Sequence, residues 1–156
     1  MLTVFLTLLI GFFVGELLGY VIHRSIHHPF TGRLYQAHMT HHLKLYPTTD
    51  FYSEKYRSPG KDNTVFIFSA ILLVICTLMF IFLPTMIAGI LTGEFLVLGL
   101  ANDYLHDIFH IHPNWLEKYS WFQKLRQIHY VHHEDMSKNY GIFTFLGDRL
   151  FRTFRK

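Results

Sequence analysis

All twelve histidines of this chain fall into four short clusters, two of which directly follow long apolar segments. In chain order the clusters read HRSIHH, HMTHH, HDIFHIH and HYVHH. Imidazole is the commonest neutral metal ligand in proteins, and an ionisable ring is costly inside a membrane. A fold for this chain must therefore bring distant polar segments to one place, and metal binding is the chemistry that they first indicate.

The spacing within the clusters repeats. Residues three and four apart share a helix face, so each HxxHH motif is predicted to present its three imidazoles together. The other two clusters each contain a pair four residues apart. The repeated sets are His38, His41 and His42; His129, His132 and His133; His23 with His27; and His106 with His110. Such repetition favours a metal site over scattered polar surface residues.

Three apolar runs determine the predicted fold class. They are residues 2–22, 65–83 and 85–101. Each is close to the roughly 20 residues that a helix needs to cross a bilayer, and 51% of the 156 residues are hydrophobic. We therefore predict one all-α, multi-pass integral membrane domain over residues 1–156, with about three transmembrane spans. The histidine clusters at 23–42 and 106–133 would form a helical cap that holds a di-metal site.

The distribution of charge predicts the orientation in the membrane. All 14 lysines and arginines lie on the side of the histidine clusters, within residues 24–61 or 118–156, and the turn at Pro84 has none. Basic residues accumulate on the cytoplasmic side of membrane proteins, so the clusters are predicted to face the cytoplasm. A buried helical hairpin in a soluble protein is the alternative, but it would not require this segregation.

The number of histidines indicates more than one metal ion. Ten or so neutral imidazoles exceed the four ligands of a closed zinc site, so two ions are predicted. Thiolate ligation is not a basis for the site, since the single cysteine, Cys76, lies in the middle of an apolar run. The sequence also lacks the Glu-x-x-His pairs that build soluble carboxylate di-iron bundles.

Taken together, the motifs resemble the fatty acid hydroxylase and sterol desaturase superfamily of integral-membrane di-iron oxygenases. The resemblance runs from Tyr20 to Thr153 and includes DYLHDIFH, NYG and DRLF beside the other histidine motifs. It implies two iron ions, for which zinc can substitute at imidazole sites. It also implies dioxygen as oxidant and a fatty acyl or sterol lipid that is hydroxylated or desaturated. Electrons would come from a separate b-type cytochrome, or a ferredoxin with its reductase, and no nucleic acid is involved.

Carried over position by position, the resemblance implies a ligand set drawn from all four clusters. The set is His23, His27 or His28, His38, His41, His42, His106, His110, His129, His132 and His133. The choice between His27 and His28 stays open. His27 shares the helix face of His23, whereas His28 precedes Pro29, where the helix must end and a side chain can turn inward.

Two residues near the third cluster are given other roles. Asp103 matches an aspartate of the family's third motif, one turn before His106, and the resemblance implies that it orients a ligand imidazole through its free N–H. His112 lies off the shared face of His106 and His110 and is predicted to be peripheral.

Two other functions remain open. A carotenoid hydroxylase of the same superfamily shares HxxxxH, which His23 and His28 match. The four-residue spacing of His106 and His110, with NYG and DRLF, favours the fatty acid hydroxylase and sterol desaturase branch. The alternative of another class is a membrane protein that binds or transports metal without redox chemistry. Transport would place ionisable groups at the middle of the bilayer, whereas these histidines lie at or beyond the span ends.

Overall fold

The computed structural model is all-helical, which confirms the predicted class. It describes residues 1–57 and 64–156, with the backbone alone for residues 64–69. The α-helices of these residues are α1 (Leu2–Ile26), α2 (Arg33–Thr40), α3 (Thr64–Phe82), α4 (Thr85–Phe109), α5 (Ser120–Glu134) and α6 (Leu146–Leu150). Short 3-10 turns cover Pro29–Thr31, Thr48–Asp50 and Trp115–Lys118, and a π-helical turn covers His41–Leu45. No strand forms in the described ranges, where an isolated bridge pairs Ser53 with Ile111.

Two helices, α1 and α4, are long and apolar enough to cross a membrane, and each has 25 residues. At 1.5 Å per residue each is about 37 Å long, which exceeds the roughly 30 Å of bilayer hydrocarbon. Both present apolar side chains outward: Phe5, Ile10, Val97 and Leu100 are 62%, 61%, 66% and 71% exposed. A soluble core helix would bury such residues, so these faces favour contact with lipid.

The second predicted span, residues 65–83, corresponds to α3, whose backbone is helical from Thr64 to Phe82. Its apolar part with described side chains is Ala70–Phe82, which is shorter than a span. Lys61, one of the basic residues that support the predicted orientation, lies outside the described residues. Three spans and a cytoplasmic position of the histidines therefore stay predictions.

The two long helices continue past their predicted spans and lead into the first and third histidine motifs. α1 extends to Ile26, and α4 extends to Phe109. They pack side by side, and a Cβ at Gly15 would lie only 2.7 Å from the Leu98 side chain. Small residues allow membrane helices to approach closely in this way. Each helix has one histidine in its last turn and another directly after its last residue, so the two helices deliver these side chains to one end of the molecule.

A small hydrophobic core lies beside the histidines. Its buried members are Leu105, Ile108, Phe109, Leu116, Phe122 and Ile142. The Phe109 ring centroid lies 5.4 Å from that of Phe122 and 5.4 Å from that of His129, so the core continues directly into the histidine region. This packing fixes the end of α4 against α5, and the histidines of both helices face a common interior.

Candidate metal centre

Nine histidines come together in two groups, and within each group one nitrogen per residue lies within 4.8 Å of the others. Cluster A consists of His23, His27, His38, His42 and His132. Cluster B consists of His41, His106, His110 and His129. Each group offers at least the four ligands of a closed metal site. The arrangement therefore has room for two separate ions.

Each cluster draws on both halves of the chain. Cluster A combines α1, α2 and the π-helical turn with α5, and cluster B combines the same turn with α4 and α5. Ring centroids are 4.6 Å apart for His41 and His106, and 4.7 Å apart for His23 and His132. Cluster A takes four histidines from the first half of the chain and one from the second, and cluster B takes one from the first half and three from the second. The full set of each cluster therefore forms only when the two halves dock.

Each HxxHH motif is divided between the clusters and does not form the single set that was predicted. His38 and His42, four residues apart, join cluster A, whereas His41 joins cluster B. Likewise His129 joins cluster B and His132 joins cluster A. Neighbouring helical residues point about 100° apart, and residues three apart diverge by about 60°. One motif can therefore face two sites at once.

The Nε2 atoms of cluster A point at one another. His38 Nε2 lies 3.1 Å from that of His23, 2.9 Å from that of His27 and 3.1 Å from that of His42. The Nε2 atoms of His27 and His132 are 3.1 Å apart. Nitrogens that each lie about 2.0–2.1 Å from one metal ion are roughly 3 Å from each other. These distances therefore fit ligands of a shared ion.

Backbone carbonyls fix which nitrogen carries the proton in two rings of cluster A. His23 Nδ1 donates to the Tyr140 carbonyl at 2.6 Å, and His132 Nδ1 donates to the Lys138 carbonyl at 2.5 Å. A carbonyl can only accept, so both protons lie on Nδ1 and both Nε2 lone pairs face the interior of the cluster. Lone pairs that face one another repel unless a cation lies between them, and this donor set fits a metal ion.

Cluster B has more nitrogens without partners. His110 Nδ1 donates to the Phe51 carbonyl at 3.2 Å, and His110 Nε2 lies 3.1 Å from His129 Nε2. His41 Nε2, His106 Nε2 and His129 Nδ1 are buried and have no hydrogen-bond partner among the described residues. A buried polar atom in this state costs about 1–3 kcal/mol. Ligation of a metal ion would satisfy the nitrogens that face the cluster.

His133 lies between the clusters and belongs to neither group. Its ring centroid is 4.0 Å from that of His42 in cluster A and 4.8 Å from that of His110 in cluster B. Its Nδ1 donates to the Tyr46 carbonyl at 2.8 Å, while its Nε2 is buried and has no hydrogen-bond partner in the described part of the chain. His133 is therefore a tenth histidine, within reach of either cluster.

Burial keeps these imidazoles neutral. Removal from water, followed by neighbouring imidazoles, lowers the pKa well below its ordinary value for His38, His41, His42, His129 and His132. Burial also lowers the pKa of His27 to about 4 and that of His133 to about 3. A neutral imidazole has a free lone pair, so these rings are in the form that binds metal at physiological pH.

Besides His133, two histidines lie outside both clusters. His28 is exposed and stacks on Phe30 with ring centroids 5.9 Å apart, so the fold brings His27 and not His28 into cluster A. His112 is exposed, and its Nδ1 lies 2.8 Å from the Glu117 carboxylate. Neither ring faces the nitrogens of the other ten.

The groups that orient the rings differ from the predicted one. Asp103 is exposed, and the carboxylate that approaches a cluster histidine is that of Asp107, whose Oδ1 lies 3.6 Å from His106 Nδ1. The other orienting acceptors are backbone carbonyls, which no sequence pattern marks because every residue has one. Tyr46 was not predicted either. It is fully buried and stacks on His110 with centroids 4.0 Å apart.

Comparison with known protein families adds an observation that does not depend on this geometry. The fatty acid hydroxylase family model matches residues 8–153, a range that contains both clusters and most of the three long helices. No curated protein and no solved structure matches the chain.

Proposed function

We propose that this chain, which belongs to the fatty acid hydroxylase family within the fatty acid hydroxylase and sterol desaturase superfamily, is a membrane di-iron oxygenase. Its substrate would be a fatty acyl or sterol lipid, which it hydroxylates or desaturates. The convergence of two histidine clusters at the ends of two apolar helices carries the proposal. Family membership supports the class of reaction, and the clusters support an active site beside the membrane.

Two iron ions are the proposed cofactors, held by cluster A and cluster B, with His133 available to either. Imidazole binds iron and zinc alike, so zinc can occupy such sites without supporting the reaction. Bound iron would supply the reductive activation of dioxygen that attack on an unactivated C–H bond requires. The chain itself holds neutral imidazoles with their lone pairs inward and keeps bulk water away by burial.

An apolar cavity supports a lipid substrate. It has a volume of about 360 Å³, lies among α1, α3 and α4, and has an apolar lining that includes Gly11, Leu18, Met79 and Phe95. Leu18 precedes His23 by five residues of the same helix, which is about 7.5 Å along the axis. A hydrocarbon chain in this cavity would approach cluster A without leaving apolar surroundings.

The proposed topology has three crossings, α1, α3 and α4, and a cytoplasmic cap, all in one domain. In the sequence, basic residues occur only on the histidine side, which supports a cytoplasmic cap. Such a cap would be accessible to a separate electron donor, either a b-type cytochrome or a ferredoxin with its reductase.

Lipid analysis tests the proposed reaction. The iron-loaded chain is expressed with a compatible donor and reductase, and total lipids are compared by mass spectrometry with those of cells that express His132→Ala. Gain of one oxygen or loss of two hydrogens in one lipid class, in the wild type alone, supports the proposal. A carotenoid product would instead assign the chain to the carotenoid hydroxylases. If two irons are bound and fatty acids, sphingolipids, sterols and carotenoids all stay unchanged, the oxygenase proposal fails. A metal-binding membrane protein without redox chemistry then takes its place.

A further inference from the structure

The segment after the last histidine motif contains no histidine, yet its backbone carbonyls accept hydrogen bonds from two rings of cluster A. We call this segment, residues 138–155, the C-terminal clasp. The Lys138 carbonyl accepts the Nδ1 proton of His132, and the Tyr140 carbonyl accepts that of His23. Two histidine rings of cluster A are thus oriented by a segment that lies outside the histidine motifs.

One buried carboxylate organises the C-terminal clasp. Asp148 is 0% exposed and accepts hydrogen bonds from the Tyr140 N–H at 2.9 Å, the Gly141 N–H at 2.7 Å and the Thr153 hydroxyl at 2.7 Å. Hydrogen bonds to an ionised acceptor are roughly twice as strong as those between neutral groups. The loop around Tyr140 therefore takes its shape from Asp148.

Asp148 and His23 are joined through one peptide group. The peptide between Tyr140 and Gly141 donates its N–H to Asp148 and accepts the His23 Nδ1 proton on its carbonyl. A peptide group is planar, so the carboxylate that fixes its N–H also fixes the direction of its C=O. Hydrogen bonds in a chain polarise one another, which makes this carbonyl a stronger acceptor. The result is a carboxylate–imidazole pair with a peptide group between the two partners.

The C-terminal clasp fits closely around Asp148 and is anchored on α1. A Cβ at Gly141 would lie 3.0 Å from Asp148 Oδ2 and 3.0 Å from the Phe145 Cα, so glycine permits the close approach of the carboxylate. Glu16 of α1 accepts from the Thr144 N–H at 2.9 Å and from the Thr144 hydroxyl at 2.7 Å. The clasp is therefore tied to the helix that carries the first histidine motif.

Cluster B is oriented by a different segment. Phe51 and Tyr46 supply the carbonyls that accept from His110 and from the intermediate His133. Arg57 stabilises this segment, because its guanidinium donates to the Leu45 carbonyl at 2.7 Å and to the Asp50 carboxylate at 2.6 Å. Because the two supports are separate stretches of chain, a change in the clasp should affect cluster A first.

We propose that Asp148 is a positioning residue for cluster A, and that it acts through the Tyr140–Gly141 peptide group on the tautomer and direction of His23. The proposal rests on the di-metal site proposed above. Without the carboxylate the peptide group is free to rotate, and the His23 Nε2 lone pair loses its fixed direction. Loss of a group that hydrogen-bonds to a metal ligand and orients it typically lowers the metal affinity by about 10- to 100-fold.

Cobalt titration of the metal-free protein in detergent tests this role. Visible absorption of bound Co²⁺, in competition with a chelator, gives an affinity for each cluster. Asp148→Asn is expected to weaken cluster A by about 10- to 100-fold and to leave cluster B nearly unchanged. His41→Ala lacks a histidine of cluster B alone, so the affinity that it weakens most is assigned to cluster B. Glu54→Gln makes the same carboxylate-to-amide change at an exposed position and should bind as the wild type does.

A double-mutant cycle separates positioning from a general loss of stability. In a His23→Ala background Asp148 has no ring to position, so Asp148→Asn should change the affinity by less than about twofold. An equal loss in both backgrounds would mean that Asp148 only stabilises the fold, and it would overturn the proposal. If Asp148→Asn does not fold, Thr153→Val removes one hydrogen bond to the same carboxylate. Thr153→Val should weaken cluster A by a smaller factor, and an unchanged affinity there would also overturn the proposal.

The same titration distinguishes this inference from the proposed function. Wild-type protein that binds fewer than two cobalt ions would contradict the di-metal site itself. Wild-type protein that binds two ions, with Asp148→Asn equal to it in both affinities, would overturn the role of Asp148 alone.

Discussion

Cluster A and cluster B contain the same type of ligand but are supported to different degrees. In cluster A, two rings donate to carbonyls of the C-terminal clasp, and the Nε2 atoms already lie about 3 Å apart. In cluster B, His41 and His106 each keep a buried nitrogen that has no partner in the ranges that the structure describes. A site whose side chains are held in the binding geometry before the metal ion arrives loses less conformational entropy on binding. We therefore expect cluster A to bind its ion more tightly, and cluster B to depend more on its ion for order.

The two clusters nevertheless share α5. This helix contributes His129 to cluster B and His132 to cluster A, and the two ring centroids are 5.8 Å apart. A displacement of α5 would disturb both clusters at once. Different support and a common helix together suggest that the ions bind with different affinities but act in one reaction.

Removal of one ligand from either cluster should have the largest effect. His132→Ala removes a ligand from cluster A, and His41→Ala removes one from cluster B. Each variant should abolish lipid oxidation. This loss is greater than the roughly 100-fold loss that is typical when a residue that only hydrogen-bonds to a metal ligand is replaced. Membrane insertion should persist because it depends on the apolar helices. Product analysis and membrane fractionation measure both effects, with His112→Ala as the control. Full activity in either variant would mean that one cluster suffices.

Metal removal should separate the clusters by their stability. An ion present at 1,000 times its Kd contributes about 4 kcal/mol to the free energy of unfolding, which chelation removes. Hydrogen exchange of the metal-free protein should show the larger loss of protection at the end of α4, whose His106 and the following His110 belong to cluster B alone. The C-terminal clasp should stay protected because its hydrogen bonds to Asp148 need no ion. Equal loss in both regions would contradict the difference in support.

Arg57→Lys should have a moderate effect on cluster B. The Arg57 guanidinium contacts both Asp50 carboxylate oxygens, at 2.6 Å and 3.1 Å, and lysine cannot reproduce that pair of hydrogen bonds. The carbonyls that orient His110 and His133 should then be held less firmly. Isothermal titration with Co²⁺ should show about a 10-fold weaker second ion and an unchanged first ion. A weaker first ion would assign Arg57 to the support of cluster A.

The sequence was sufficient to predict the helical class, the family and which residue type meets at the site. Four separated histidine clusters have few uses other than metal binding, and α1 and α4 follow from long apolar runs. The division of each HxxHH motif between two clusters was not predictable. His41 and His42 are adjacent on the chain, and only the docking of α4 and α5 determines which neighbour each ring meets.

The supports of the rings were beyond prediction for another physical reason. A backbone carbonyl has no residue signature, so the roles of Lys138 and Tyr140 depend on loop geometry alone. Asp103 was predicted to orient a ring from its position one turn before His106, but one turn of separation does not fix which way a carboxylate points. Asp148 belongs to DRLF and Tyr140 to NYG, two motifs of the resemblance, but the sequence does not show that Asp148 acts on His23, because that link exists only after folding.

Replacement of His28, which lies outside cluster A, should have the smallest effect. His28→Ala removes an exposed ring that stacks on Phe30, so metal content and turnover should stay within about twofold of wild type, as for most surface changes. His27→Ala is the matched change one residue earlier and should weaken binding of the cluster A ion and abolish turnover. Parallel metal analysis and turnover assays compare the two. If His28→Ala loses the ion and His27→Ala keeps it, the assignment between these neighbours is reversed.

The number of iron ions per chain tests the central claim most directly. Protein expressed with ample iron and extracted in mild detergent is analysed for iron and zinc by mass spectrometry against amino-acid content. The two clusters predict two bound ions per chain in the wild type, with iron in the active form, and fewer in His132→Ala and in His41→Ala. A wild-type chain that is active with at most one ion would contradict the two-cluster account.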